Sequence, residues 1–153
     1  MTENRQTRKR VVVTGMGVLT PLGTLDAFWE KLKTGKSGIR KISLLDPSDL
    51  DVQIAGEVDF EPGDYIDRKA ARRMARASQI ALIAAQMALA DSGMSQASTK
   101  EEGDRVGVVV GTVNAGFDTL VDTAYKYTYK KRKPFPTALL NGLPNMPGYY
   151  VSN

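Results

Sequence analysis

Between Ile80 and Ala90 every side chain except that of Gln86 is apolar. A helix over such a stretch has no wet face, so it must be buried on nearly all sides. It is also too short to cross a bilayer. Asp91-Ser92-Gly93 closes it, with Gly93 placed as the C′ residue. Two β-branched runs flank this helix. Arg10 to Thr14 ends at Gly15, and Arg105 to Thr112 carries Val106, Val108, Val109 and Val110. Both read as buried strands, the second being the clearest in the chain.

The remaining elements follow from punctuation. After Gly15-Met16-Gly17, Pro21 and Gly23 break any continuation. Thr24 is placed to cap a helix over Leu25 to Lys33, with Phe28, Trp29 and Leu32 as its apolar stripe and Gly35 and Gly38 ending it. Asp46 to Asp51 reads as loop and Val52 to Val58 as a short strand. A second helix starts near Asp64 to Asp67, where carboxylates complement the helix dipole. Ser95 to Asp104 reads as a polar linker. A glycine-containing turn, Gly111 to Gly116, feeds a helix over Phe117 to Lys130, and another helix begins near Pro144. Strand and helix thus alternate, which predicts an α/β fold with a mostly parallel sheet.

Composition narrows the chemistry. The 153 residues hold 42% hydrophobic and 25% charged positions, an ordinary globular balance that suits one domain. Neither cysteine nor histidine occurs. That removes disulfides, thiol nucleophiles, the usual zinc ligands and every His-based triad, so no metal site, no cofactor site and no catalytic residue is assigned. Met1 to Arg10 is polar and basic, a tail before a domain over residues 11–153, and not a secretory signal. A soluble, cytoplasmic protein is the expectation. The net charge of +4 is modest and concentrated in local clusters.

Two motifs invite over-reading. Gly15-Met16-Gly17 after a strand suggests a dinucleotide fingerprint, but the third glycine would fall on Thr20 with Pro21 behind it, so that reading is rejected. Tyr125-Lys126-Tyr127-Thr128-Tyr129-Lys130 interleaves rings and bases as some nucleic-acid binders do. On a helix, however, these side chains spread around the axis, and no nucleic-acid partner is expected.

Five segments, in order, carry a resemblance. They are Val11 to Gly17 with Pro21 and Gly23; Phe28-Trp29 through Gly35-Lys36-Ser37-Gly38-Ile39; Asp67-Arg68-Lys69 through Arg72-Arg73-Met74 and on to Asp91-Ser92-Gly93; Arg105-Val106-Gly107 through Gly111-Thr112; and Pro144-Asn145-Met146. Together they resemble the N-terminal part of the β-ketoacyl synthases, condensing enzymes of the thiolase-like fold. The resemblance implies part of a layered αβαβα architecture. It implies an acyl thioester substrate, an acyl carrier protein partner and a homodimer in the complete enzyme. It also implies decarboxylative condensation with malonyl-carrier protein, performed in that family by a cysteine and two histidines. A non-catalytic partner subunit that limits chain length, or a scaffold fragment, are the alternatives.

The resemblance also assigns sites. Lys69, Arg72 and Arg73, which a helix would gather with Arg76 on one face, match positions that dock the acidic carrier protein; a solvated helix surface is the bland alternative. Gly111, Thr112, Asn114 and Gly116 match a glycine-rich loop lining the acyl pocket. Val113 and Ala115 stand where glycines are usual, and Asn114 where a bulky apolar gate is common. Asn114 also suits a turn for purely conformational reasons.

Overall fold

The computed structural model describes residues 9–94 and 103–153. Its first unit is a tight hairpin, β1 (Leu19–Thr20) against β2 (Gly23–Thr24), antiparallel with Thr20 opposite Gly23. Pro21 and Leu22 form its turn. The Thr20 hydroxyl accepts from the Leu22 N–H at 3.2 Å and donates to the Gly23 carbonyl at 3.0 Å. Gly23 sits at φ +114, a conformation side chains resist. Helix α1 (Leu25–Lys33) follows directly. It ends in a Schellman arrangement: Gly35, at φ +66, donates to Leu32 and Lys36 donates to Lys31. Lys31 Nζ reaches back to the Leu22 carbonyl at 2.8 Å and ties helix to hairpin.

A second antiparallel ribbon pairs β3 (Arg40–Lys41) with β4 (Ile54–Ala55). Only these two residues of the expected strand over Val52 to Val58 pair, and β3 has no counterpart in the sequence reading. The buried Glu57 carboxylate braces the loop beyond β3. It accepts from the Ser43 hydroxyl at 2.7 Å and from the backbone N–H groups of Ser43 and Leu44. Those bonds, the Ser43 hydroxyl foremost, hold its pKa below the usual glutamate value, with Arg40 adding a smaller pull.

The core forms where α3 (Arg76–Asp91) packs on α6 (Met146–Ser152). Ile83 on α3 is completely buried, as are Ser78 near the start of α3 and Pro147 near the start of α6. Gly93, at φ +72, ends α3 as expected. Gly15 and Gly17 lie directly on this helix: a Cβ at either would collide with the carbonyl of Ala88 or Ala84. The Met16 N–H donates to Asp91 Oδ2 at 2.8 Å. The glycines therefore serve close packing of an extended segment on a helix, which agrees with rejecting the dinucleotide reading.

Helices α4 (Phe117–Lys130) and α5 (Ala138–Asn141) complete the frame with the short α2 (Arg68–Ala71). Asp67 caps α2, accepting from the N–H groups of Lys69 and Ala70 at 3.0 Å each. Among the described residues no helix is long and apolar enough to cross a membrane.

Several expectations need correction. Arg10 to Thr14 and Arg105 to Thr112 are not strands and are not buried: Val11 is 91% exposed and Val109 98%. A strand exists only through its neighbour's hydrogen bonds, and no described residue offers them to Val11–Val13 or Gly107–Val110. Correspondingly, the described residues form no parallel sheet, only the two antiparallel ribbons. The α3 helix is less enclosed than its composition suggests. Ile80 and Met87 are half-buried, and Gln86 and Ala90 are exposed. Trp29 and Leu32 of the α1 stripe face outward, with only Phe28 half-buried. Of the tail, residues 1–8 lie outside the described residues, as do 95–102 of the linker; Gly103–Arg105 forms a 3₁₀ turn.

Two outcomes test this core. Ile83→Ala should cost about 2–5 kcal/mol in denaturant unfolding, and Ile83→Asp should prevent folding because it buries an unpaired charge. A soluble Asp variant with an unchanged melting temperature would contradict the packing. For Glu57, a lowered folded-state pKa means stabilisation present above the ordinary glutamate value of about 4.3 and lost as pH falls through the lowered one. Glu57→Gln should therefore melt lower at neutral pH and show a flatter decline between about pH 5 and 3. A variant with an unaltered acid limb would remove Glu57 from this role.

Candidate functional site

The cationic residues singled out from the sequence sit at a break between two helices. Helix α2 stops at Ala71. Arg73 donates its N–H to Ala70 at 2.9 Å and Met74 to Ala71 at 3.1 Å, closing a turn. Ala75 then adopts an extended conformation before α3 starts at Arg76. Ala71, Met74 and Ala75 are buried and anchor the turn, leaving the Arg72 and Arg73 side chains exposed.

The single helical face expected for Lys69, Arg72, Arg73 and Arg76 is thus not formed. Arg76 turns inward instead, donating to the Val58 carbonyl and lying 4.5 Å from the Phe60 ring centroid. Its part is structural. Lys69, Arg72 and Arg73 nonetheless converge on one cleft of about 540 Å³.

The opposite wall comes from α4 and the chain after it. Lys131 adopts a left-handed conformation, φ 53, and the chain doubles back so that the Arg132 N–H reaches the Lys126 carbonyl at 3.1 Å. That reversal carries Arg132 and Lys133 into the cleft beside Lys126, with Phe135 as an apolar rim. Asn141 of α5 lies at the floor. The Tyr150 hydroxyl on α6 bridges the Asn141 Oδ1 at 3.1 Å and the Arg73 carbonyl at 3.4 Å. Burial pushes the Tyr150 phenol above its ordinary pKa, so it remains a neutral hydrogen-bonding group.

Six basic side chains thus line the cleft against one carboxylate, Asp122, which Lys126 already pairs at 2.6 Å. Among the described residues, Lys69, Arg72, Arg73, Arg132 and Lys133 have no acidic partner. Such an arrangement attracts an anionic surface and orients forked donors towards carboxylates or phosphates. It holds no nucleophile and base pair, and the described residues contain no cluster suited to a metal ion. The contribution of Arg132 and Lys133 was visible in the sequence only as a charge run. The left-handed Lys131 that folds the run back has no sequence signature.

The glycine-rich loop is placed differently from the cationic cluster. None of Gly111, Thr112, Asn114 and Gly116 lines the cleft. Thr112 donates through its hydroxyl to the Pro144 carbonyl at 3.1 Å. Asn114 is exposed, and its carbonyl accepts from the Phe117 N–H at 3.1 Å, which starts α4. Gly116, at φ +81, is buried so closely on Asn141 and Gly142 that a Cβ would lie 2.9 Å from their backbone. Gly111 stands in open space.

The comparisons with known proteins agree with one another. A family model described as "Beta-ketoacyl synthase, N-terminal domain" matches residues 8–152. The chain is 42% identical over 123 residues to the tetracenomycin polyketide synthase ketoacyl synthase alpha subunit of Streptomyces glaucescens, covering 79% of this chain and 28% of that protein. It is 40% identical over 117 residues to 3-oxoacyl-[acyl-carrier-protein] synthase 2 of Synechocystis sp., covering 75% and 28%. Among solved structures, the ishigamide ketosynthase/chain length factor superimposes with a TM-score of 0.78 at 28% identity, over 95% of this chain and 37% of that one. A beta-ketoacyl synthase from Burkholderia phymatum gives 0.69 at 29% identity, over 94% and 36%. The chain therefore spans little more than a quarter of the length of these curated relatives.

Proposed function

The chain belongs to the β-ketoacyl synthase family through its N-terminal domain, and from that membership we propose that it is the carrier-protein-facing part of a condensing enzyme. The observation that carries the proposal is the convergence of Lys69, Arg72 and Arg73 with Arg132 and Lys133 on one cleft without acidic partners. An acyl carrier protein presents an acidic helix, and guanidinium forks engage carboxylates through two parallel bonds. Each exposed pair contributes only about 0–1 kcal/mol. The assembled cleft, not any one residue, would therefore set the encounter.

The reaction served is decarboxylative condensation of an acyl thioester with malonyl-carrier protein. A cysteine thiolate takes the acyl group and releases the carrier thiol. Loss of carbon dioxide from malonyl-carrier protein leaves a carbanion, which attacks the acyl-enzyme carbonyl, expels the thiolate and leaves a 3-oxoacyl-carrier product. With neither cysteine nor histidine in these 153 residues, the covalent step falls to residues outside them. In this reading the chain contributes docking and the glycine-rich loop 111–116, and the complete enzyme is a homodimer. The pathway is fatty-acid or polyketide synthesis, since relatives of both kinds match. A second reading, a non-catalytic subunit that limits chain length, is favoured by the ketosynthase/chain length factor among the structural neighbours.

Charge reversal tests docking. Arg72→Glu with Arg73→Glu should slow association with an acyl carrier protein at least tenfold and flatten its salt dependence, without moving the melting temperature. Plasmon-resonance rates at two ionic strengths read this out; an unchanged rate and salt slope would place docking elsewhere. Incubation of the 153-residue chain with acyl-coenzyme A should leave its intact mass unaltered, and a thioester-sized adduct would refute the assignment of the covalent step.

A further inference from the structure

The cationic cleft gathers the whole of the chain's positive excess. Its six bases and one carboxylate give it a net charge of +5, while the whole chain carries +4, so everything outside the cleft nets −1. A charge excess confined to one concave surface focuses the field there and draws anions to it. Lys126 is engaged by Asp122. The other five bases, Lys69, Arg72, Arg73, Arg132 and Lys133, bond through their side chains to nothing among the described residues.

The shape points to a small occupant. A concave space of about 540 Å³ falls within the range of small-molecule sites, about 300–1,000 Å³. The bases reach it from three directions: from α2 and the turn after it, from α4, and from the doubled-back segment behind Lys131. Between them stand the half-buried hydroxyls of Thr119 and Thr123, one turn apart on α4, which also have no partner among the described residues. Donors converging from several sides, charged and neutral together, match the tetrahedral oxygens of phosphate better than the plane of a carboxylate. One phosphate carries about −1.5 to −2 and leaves most of the cleft's charge unmet, whereas two linked phosphates offset most of it. Phe135, 68% exposed beside Pro134 at the rim, offers an apolar shelf to the organic part of a phosphate ester.

We propose that the cleft is a binding site for a small anion with two linked phosphates, a diphosphate or its ester, held by Lys69, Arg72 and Arg73 on one wall and Arg132 and Lys133 on the other. Carrier docking uses the same bases, but this inference rests only on their charge and enclosure. Titration with diphosphate alone reports it whether or not a carrier protein docks there.

The test is calorimetric titration of the chain with inorganic diphosphate, inorganic phosphate and ADP in low-salt, metal-free buffer. Diphosphate should bind at one site, about tenfold or more tighter than phosphate, and raise the melting temperature. Arg132→Glu with Lys133→Glu should weaken it about tenfold or more and leave the melting of the free chain unchanged. Asp122→Asn removes the one carboxylate of the cleft and releases Lys126, so it should tighten binding several-fold; a purely structural Asp122 would give no gain. Lys36→Glu with Lys41→Glu, exposed and outside the cleft, changes the net charge equally and should leave affinity unaltered. Equal binding of ADP and diphosphate would identify the inorganic anion as sufficient; tighter ADP binding, lost on Phe135→Ala, would identify an ester. Several weak sites, equal affinity for phosphate, equal losses in the two double variants, or no gain in Asp122→Asn would overturn the proposal.

Discussion

The packing of α3 on α6 is the interaction from which everything else in the molecule hangs. Ile83 fills the contact from one side, and Pro147 is buried at the start of the other helix. The Gly15–Gly17 segment reaches its position only because α3 offers a surface that two residues without side chains can approach. The arginine turn is held by the buried Met74 and Ala75 immediately before α3, and the floor of the cleft by Tyr150 on α6. The arginine turn and the floor of the cleft are thus each one or two bonds removed from the same helix pair. Damage to Ile83 would disturb the cleft and the valine runs together.

The break between α2 and α3 shows how a local departure from regularity shapes a cationic cleft. A continuous helix would have placed Lys69, Arg72, Arg73 and Arg76 in a row on a solvated face. The turn at Arg72–Arg73 instead projects two guanidinium groups over a concave wall and releases Arg76 to brace Val58 and Phe60. The opposite wall depends on a second irregularity, the left-handed Lys131 that folds the basic run back over α4. Among the described residues Lys131 is the single non-glycine residue at positive φ, and the backbone bond from Arg132 to Lys126 closes the turn around it.

What was legible in the sequence follows from how far each element's determinants reach along the chain. Helices α1 and α4 match their expected bounds, and Gly35 and Gly93 act as the expected stops, because such signals are decided within a few residues; Thr24, expected to cap α1, makes no side-chain cap bond, whereas Asp67, expected only to complement the dipole, caps α2. The valine runs were misread because β-propensity states only that a residue fits a pleated, half-buried surface. Whether Val109 is buried depends on a partner far away in sequence, and among the described residues it has none. The arginine cluster was found for a reason that proved wrong in detail. Its members converge through tertiary packing, and Arg76, equally basic and equally spaced, does not join them.

The glycine-rich loop ties the second valine run to the elements that carry the cleft. It begins where the run 106–110 ends. Thr112 bonds to the Pro144 carbonyl just ahead of α6, and Gly116 rests on Asn141 and Gly142. Asn141 in turn meets the Tyr150 hydroxyl, which also bonds to the Arg73 carbonyl. A continuous set of bonds and contacts therefore runs from the second valine run to the arginine turn. Gly116 is the least adjustable point in it, because its positive φ and its close approach to the Asn141 backbone both exclude a side chain.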